Sequence, residues 1–389
     1  MKPIIRPSCL TALPDDVWQR LVAALDRPDL QPGAPVMVAM SGGVDSSVAA
    51  ALMAELGFGV IGVSMQLFDK DPGRTAAGSC CTLEDFQDAR RVADQLGFPF
   101  YVMDFRAAFR QEVIADFVSS YERGETPSPC IQCNQHLKFD ELIRAAETLG
   151  ATHVVTGHYA QVKGVPGAQR LALWKGMDPV KDQSYFLFAA YQLQLSRTLM
   201  PLGGLTKPEV RHLGRLLGLH LAEKAESQEI CFVEGGRYDR FLEDAGLQPQ
   251  TGPFRRLGDG KVLGHHQGFW RFTVGQRRGL GLAHTAPLYV VRIEPETRTV
   301  WVGEAPDLLE TRLRVRDAVW VDRRPDLPLA CSAKIRSRSP EAPAVVREHP
   351  SGGLEVVFEA PQRAIAPGQA VVFYRGDEVL GGGWIIRER

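Results

Sequence analysis

Between residues 36 and about 199, short apolar runs at 36–40, 59–65, 100–103 and 153–156 alternate with longer segments at 46–56, 83–96, 107–121 and 137–149. The longer segments repeat their apolar positions at helical spacing, and the short runs have strand length. That alternation predicts an α/β fold with a parallel sheet covered by helices. Thr82 with Asp85 three residues on marks one helix start, and Gly97 marks its stop. After Pro201 the pattern changes. Thr206 and Glu209 frame a capping box that opens a helix running to Leu217, and 237–245 forms a second short helix. From about 267 onward the runs at 288–293, 299–302, 354–358 and 370–374 are short, rich in Val, Tyr, Trp and Phe, and spaced by turn residues, which predicts a small β-barrel. Residues 15–25 read as one amphipathic helix ahead of a proline-bearing loop. Four segments follow: an N-terminal extension (1–34), an α/β domain (35–203), a small central connecting domain (204–266) and a C-terminal β-barrel (267–389).

A chain of 389 residues exceeds one ordinary domain, in line with this division. Forty-five Lys and Arg against 46 Asp and Glu give a net charge of −1, so a polyanionic partner must be met by a local basic surface. The most apolar stretch, 49–68, is broken by Gly57, Gly59 and Gly62, which predicts helix, turn and strand and no membrane span. The first ten residues lack the apolar core of a signal peptide, and the expected compartment is the cytoplasm. Seven cysteines at uneven spacing (9, 80, 81, 130, 133, 231 and 331) do not make a secreted disulfide framework. Reduced thiols with chemistry are expected instead.

The strand at 36–40 runs directly into Ser41, Gly42, Gly43, Val44, Asp45, Ser46 and Ser47, where a helix begins. Adjacent glycines let backbone amides face a ligand, the helix start adds positive potential, and the serines add donors, so the junction is an anion cradle suited to phosphate. The lysine of a Walker loop is absent, which points to a cleavage of ATP other than γ-phosphoryl transfer. Cys130 and Cys133 are read in a loop, because Pro127 and Pro129 forbid a helix there. Lys138 and a helix starting near His136 supply potential that favours thiolate. Three other readings of the thiols stay open: a zinc site from Cys80, Cys81, Cys130 and Cys133; simple burial, assigned to Cys9 and Cys331; and an iron-sulfur cluster on Cys130, Cys133 and Cys231.

The loop resembles the PP-loop of ATP pyrophosphatases, the adenine nucleotide α-hydrolase-like fold. Six further phrases, at 80–85, 126–134, 156–159, 181–187, 227–232 and 275–281, are similar to those of the tRNA-specific 2-thiouridylase family (MnmA type) and occur in family order. The resemblance implies ATP-dependent 2-thiolation of the wobble uridine of tRNA: adenylation of the 2-oxygen, then sulfur transfer from a cysteine persulfide, releasing AMP and pyrophosphate. It implies that Ala39, Met40, Ser41, Gly42, Gly43, Val44, Asp45, Ser46, Met65 and Gly157 bind ATP, with Asp45 on Mg²⁺. Cys133 becomes the nucleophile and Cys231 the persulfide carrier, the two closing a disulfide once sulfur leaves. Ser128, Pro129 and Cys130 lie by the target base, while His158, Lys181, Asp182, Gln183, Arg336, Ser337 and Gln369 touch tRNA. A cysteine desulfurase or sulfur-relay protein is the implied donor, and a monomer the expected state. Some members of the family carry Asp at the place of Cys130, and the family often has Arg-Tyr at Arg336 and Ser337.

Residues 312–347 hold nine basic side chains against four acidic ones, which makes this stretch, with Arg277 and Arg278, an expected phosphate-binding face. Two rivals differ in what they require. A PP-loop ligase that adenylates a small molecule has no use for Cys133 and Cys231, and an RNA-binding protein with an inactive loop releases no pyrophosphate.

Overall fold

The computed structural model describes residues 4–68, 83–165, 167–225 and 230–387. Thr82, Cys80, Cys81 and the start of the 227–232 phrase lie outside them. The chain divides into two compact units, one of residues 1–112, 130–235 and 377–379, the other of 113–129, 236–376 and 380–389.

In the first unit, β1 (Pro35–Ala39), β2 (Gly59–Gln66), β3 (Phe100–Asp104), β4 (His153–Val155), β5 (Ala160–Gly164), β6 (Leu171–Lys175) and β7 (Thr198–Leu199) are the strands, and α1 (Asp15–Ala24), α2 (Val44–Glu55) and α3 (Leu83–Leu96) are helices. Five strands form a parallel sheet in the order β3-β2-β1-β4-β7, while β5 and β6 pair as an antiparallel hairpin. β1 pairs with β2 on one side (Val36 with Val60) and β4 on the other (Val36 with His153). The chain order therefore reverses at β1, and the carboxyl ends of β1 and β4 border the crevice where open α/β sheets bind ligands. α2 has no charged residue between Asp45 and Glu55 and is buried from Val44 to Met53 apart from Asp45, as expected of a helix without a polar face. Val17 and Leu21 of α1, with Leu10, Leu13, Leu25 and Leu30, join the same apolar cluster as Val48 and Leu52 of α2 and Val210 and Leu213 of the Lys207–Leu216 helix. The residues ahead of β1 thus help build this core.

One local expectation is corrected. Residues 126–134 are not all loop, because a helical turn begins at Pro129 (Pro129–Gln132) and continues as the π-helical Cys133–Glu141. Proline blocks a helix interior but is tolerated in the first turn, where its missing N–H has no partner to lose. Ile131, Asn134 and Leu137 are buried along one side of this stretch, which fixes its rotation.

The second unit contains β8 (Gly252–Arg256), β9 (Val262–His266), β10 (Tyr289–Glu294) and β11 (Thr299–Gly303), joined in a four-stranded sheet in the order β10-β11-β8-β9. This sheet draws strands from both sides of residue 266. The remaining strands are β12 (Leu309–Trp320), β13 (Leu329–Lys334), β14 (Ala342–Glu348), β15 (Leu354–Arg363), β16 (Ala370–Arg375) and β17 (Glu378–Ile386). They follow the order β12-β15-β14-β13-β16-β17, and a β12–β17 pairing closes them into a six-stranded barrel around Leu313, Val356, Phe358, Phe373 and Ile385. Closure leaves the barrel without an unpaired edge. The Ala115–Glu122 helix is held by Tyr121 stacked on Tyr238, with ring centroids 5.2 Å apart, and by Phe117 edge-on to Phe241.

His266 is buried between Phe254 and Phe272, and its Nδ1 accepts the Gly268 N–H at 3.2 Å. Burial pushes its pKa down from 6.5 to about 4. Below pH 6.5 the unfolded chain takes up a proton that the folded chain refuses, so stability falls as pH drops through this window, by up to roughly 3 kcal/mol. Buried His158 and His153 are shifted the same way. Thermal melts between pH 7.5 and 4.5 should show this decline, with a shallower slope in His266→Asn, which keeps an acceptor for Gly268. Identical slopes for the two proteins would contradict the assignment.

Candidate functional site

The loop after β1 folds on itself. Ser46 Oγ accepts the Ser41 N–H at 3.1 Å and lies 3.3 Å from Ser41 Oγ, so the first and sixth residues of the motif close a ring. Gly42 takes a φ of +70°, and a Cβ there would stand 2.2 Å from the backbone oxygen of Asp85, so the first turn of α3 leans directly on the loop. Across the β1/β4 crevice, a Cβ on Gly157 would meet the Ser46 nitrogen at 2.8 Å and the Asp45 carbonyl carbon at 2.9 Å. Both glycines let neighbouring backbone approach the loop more closely than any side chain would allow, which packs the loop into the fixed turn at a helix start that suits a polyphosphate. Met40 is anchored by its N–H to Val63 O, and its own carbonyl accepts Ser64 Oγ. Ala39 ends β1 and Met65 lies near the end of β2, both half-buried.

Asp45, at the second position of α2, is held from two sides. Its Oδ1 accepts Lys207 Nζ at 2.7 Å and the Tyr159 hydroxyl at 2.8 Å. Lys207 opens its helix, where the macrodipole disfavours a cation, and it is buried; the Asp45 carboxylate compensates on both counts. A second lysine, Lys224, donates to Gly42 O at 2.9 Å, Asp85 Oδ1 at 2.9 Å and Asp88 Oδ2 at 2.7 Å. Burial opposes its charge, but the bonds to Asp88 and Asp85 outweigh that and raise its pKa, so it stays an ammonium. Sequence reasoning named neither lysine nor Tyr159 as site residues. A lysine at a helix start is the one local signal, since it breaks a rule that a surface helix would keep.

The thiols are set on different elements. Cys130 is exposed in the new helical turn, and Cys133 is half-buried at the head of the π-helical stretch. Cys231 is half-buried, and its neighbour Phe232 packs edge-on to Phe109 at 5.5 Å, which in turn lies 6.1 Å from Phe68 just past β2. The Cys231 segment is thereby anchored at the same sheet end as Met65. Cys9 and Cys331 are half-buried; desolvation and the Glu55 carboxylate raise the Cys9 pKa, and burial pushes the Cys331 thiol up to about 12, which keeps both protonated. Among the described residues no three Cys, His, Asp or Glu side chains converge as a metal site, so the thiols of the expected cluster are not assembled in this structure.

The residues expected on tRNA fall into two kinds. His158 is buried, with Nδ1 2.9 Å from Thr156 Oγ1 and Nε2 3.4 Å from Lys138 Nζ. Desolvation, then Lys138, lower its pKa well below 6.5, so it is a neutral imidazole facing an ammonium. Asp182 accepts the Gly176 and Ser184 N–H groups and Ser184 Oγ, and Gln183 exchanges bonds with Tyr159 through its backbone N–H and its side-chain oxygen. These bonds tie the half-buried Lys181 turn to the Gly157–Tyr159 corner. In the second unit, Gln369 Nε2 donates to Thr126 O at 2.9 Å and Pro127 O at 3.2 Å, gripping the extended segment that leads into Ser128 and Pro129. Arg336 donates to Val274 O and Ala364 O, with half-buried Ser337 beside it in the same turn.

Residues 34–235 match the family model described as tRNA methyl transferase HUP domain, 239–304 the tRNA methyl transferase PRC-barrel domain, and 310–385 the aminomethyltransferase beta-barrel domain. A tRNA-specific 2-thiouridylase MnmA of Geobacter metallireducens is 51% identical over 359 residues, covering 90% of this chain and 96% of that protein. The protein of the same name from Rhodospirillum centenum is 48% identical over 363 residues, covering 90% and 91%. With identity at this level along nearly the whole length of each protein, and a parallel sheet whose PP-loop sits at the reversal of strand order, the chain belongs to the tRNA-specific 2-thiouridylase family.

Proposed function

We propose that this chain replaces the 2-oxygen of the wobble uridine of tRNA with sulfur at the expense of ATP. The observation that carries this reading is the 51% identity, over 90% of the chain, to a protein named for that activity. The cradle of residues 39–46, Met65 and Gly157 receives the nucleotide, and Asp45 is the residue that would hold Mg²⁺, whose charge would offset that of the phosphates. The uridine 2-oxygen attacks the α-phosphorus and pyrophosphate leaves, so the oxygen becomes part of a good leaving group. Cys231 carries the incoming sulfur as a persulfide. Cys133 thiolate attacks Cys231 Sγ and forms a disulfide; the released sulfur, with its electron pair, adds to C2, and AMP departs with the oxygen. An external thiol must reduce that disulfide before the next turnover.

Because the target base sits in a structured loop, it must be splayed out toward Ser128, Pro129 and Cys130. In this reading Gln369 fixes the segment before them and Arg336 with Ser337 shapes the barrel turn. Lys181 supplies a cation to the RNA, while Asp182, Gln183 and His158 hold its turn in place. The sulfur arrives from a cysteine desulfurase or relay protein, and the enzyme works in the cytoplasm as a monomer. Among the described residues no helix is long and apolar enough to cross a membrane.

Two measurements test this reading. Anaerobically purified protein incubated with ATP, Mg²⁺, a sulfide source and unmodified tRNA should yield 2-thiouridine by nucleoside mass spectrometry, with Cys133→Ser and Cys231→Ser at background. Full product from both variants would sink the two-thiol scheme, and iron in the active protein together with loss of product in Cys130→Ser would favour the cluster. Lys224→Met removes the cation between Gly42, Asp85 and Asp88, and ATP affinity should fall roughly tenfold by calorimetry, about 1.4 kcal/mol. Unchanged affinity would exclude Lys224 from shaping the loop.

A further inference from the structure

The family model begins at residue 34, yet the segment ahead of it reaches the nucleotide loop in two steps. Arg20 of α1 grips Glu209 with both guanidinium nitrogens, Nη2 to Oε1 at 2.7 Å and Nη1 to Oε2 at 3.2 Å, and donates to Gly204 O at 2.7 Å. Glu209 is the third residue of the Lys207–Leu216 helix and closes its capping box by accepting the Thr206 N–H at 2.7 Å. Lys207, two residues earlier, gives its backbone N–H to Asp178 Oδ2 and its ammonium to Asp45 Oδ1. We propose that α1 is a built-in positioning element of the nucleotide site, and that Arg20 is a positioning residue that sets Lys207 against Asp45 through Glu209.

The physical case rests on how poorly Lys207 is placed by its own helix. A cation at the first helical position is opposed by the macrodipole, and a buried ammonium needs a fixed partner. The turn that carries it must therefore be held from outside. Glu209 suits the dipole and closes the cap, but burial works against its ionisation. The bonds from Arg20 and Thr206 outweigh that and keep the carboxyl below its ordinary pKa. A bidentate arginine also fixes the orientation of the carboxylate, which a lysine does not. α1 is itself seated by Val17 and Leu21 in the cluster that includes Val210 and Leu213, so Arg20 presents its guanidinium from a packed helix. Loss of Arg20 frees the Glu209 carboxylate, loosens the first turn and lets Lys207 drift from Asp45. The deficit should appear as weaker binding of the nucleotide at the loop, with the chemistry after binding spared.

This inference rests on the loop taking ATP, and the experiment separates the two. Calorimetric affinity for Mg²⁺–ATP is measured on the full chain for wild type, Arg20→Ala, Arg20→Lys, Arg6→Ala, Lys207→Met and the Arg20→Ala, Lys207→Met double variant, with thermal melts of each without nucleotide. Arg20→Ala should bind ATP roughly three- to tenfold more weakly, and Arg20→Lys should fall in between. Arg6→Ala breaks an ion pair within the segment, to Asp15, and should lower the melting temperature with ATP affinity unchanged. On the Lys207→Met background, Arg20→Ala should add nothing. The proposal is overturned if Arg20→Ala changes melting alone, if its effect on affinity adds in full to that of Lys207→Met, or if Arg6→Ala weakens ATP equally. If Arg20→Ala does not fold, Arg20→Lys is read by the same comparisons. Failure of wild type to bind ATP would sink the reading of the loop itself.

Discussion

Asp45 Oδ1 takes an ammonium and a phenol at once, Lys207 at 2.7 Å and Tyr159 at 2.8 Å, and the nucleotide end of the sheet is organised around that oxygen. Three stretches of chain meet there: the start of α2, the corner after β4, and the helix that follows β7. The carboxylate lies in the first turn of α2, where the helix dipole favours it. Lys207 has the reverse situation, a cation at a helix start with little access to water. The Asp45 carboxylate offsets the cost of burying the Lys207 ammonium. Gly157 then lies against Ser46 because Tyr159, two residues on, is tied to the same oxygen.

The same bonds bear on how an anion enters. Asp45, Asp85 and Asp88 face Lys207, Lys224 and the Arg91 guanidinium on Asp88, three carboxylates against three cations. Both lysines are already committed to carboxylates, unlike the Walker lysine that reaches a phosphate directly. The bare loop offers oriented backbone amides and a helix start but no excess of cationic side chains. A triphosphate therefore gains from bringing Mg²⁺ with it, since the metal adds positive charge that side chains already held in ion pairs do not.

Much of this was legible in the sequence, because strand, glycine turn and helix are local features. The alternation of apolar runs and helical segments gave the parallel sheet, and the Thr206 to Glu209 spacing gave a helix start that the structure reproduces as a capping box. The structure departs from that reading where a local rule changes sign with position. Pro129 blocks a helix interior but is compatible with its first turn, so Cys130 and Cys133 stand in helical turns and not in a loop. The lysines could not be read at all. Lys207 lies 162 residues from Asp45, and Lys224 lies 182 from Gly42, and a contact across such separations depends on strand order, which a single sequence leaves open.

The barrel arginines show the same lesson in charge. Counting along 312–347 gives a surplus of cations, but carboxylates from outside that window fold back onto them. Arg347 and Arg312 both approach buried Glu355, Arg324 pairs with Glu348, and Arg316 approaches Glu125. Arg314 is used on the Gly352 carbonyl. Exposed Arg323 and Arg338, with Arg277 and Arg278 of the Gly275–Gly281 phrase, make no ion pair among the described residues. An arginine already paired must give up a carboxylate before it takes a phosphate, and the exchange returns little net energy. An unpaired one exchanges only water and counterions, and that release is what drives RNA binding. Of the exposed arginines in 312–347, Arg323 and Arg338 are thus the two that can take a phosphate without first giving up a carboxylate.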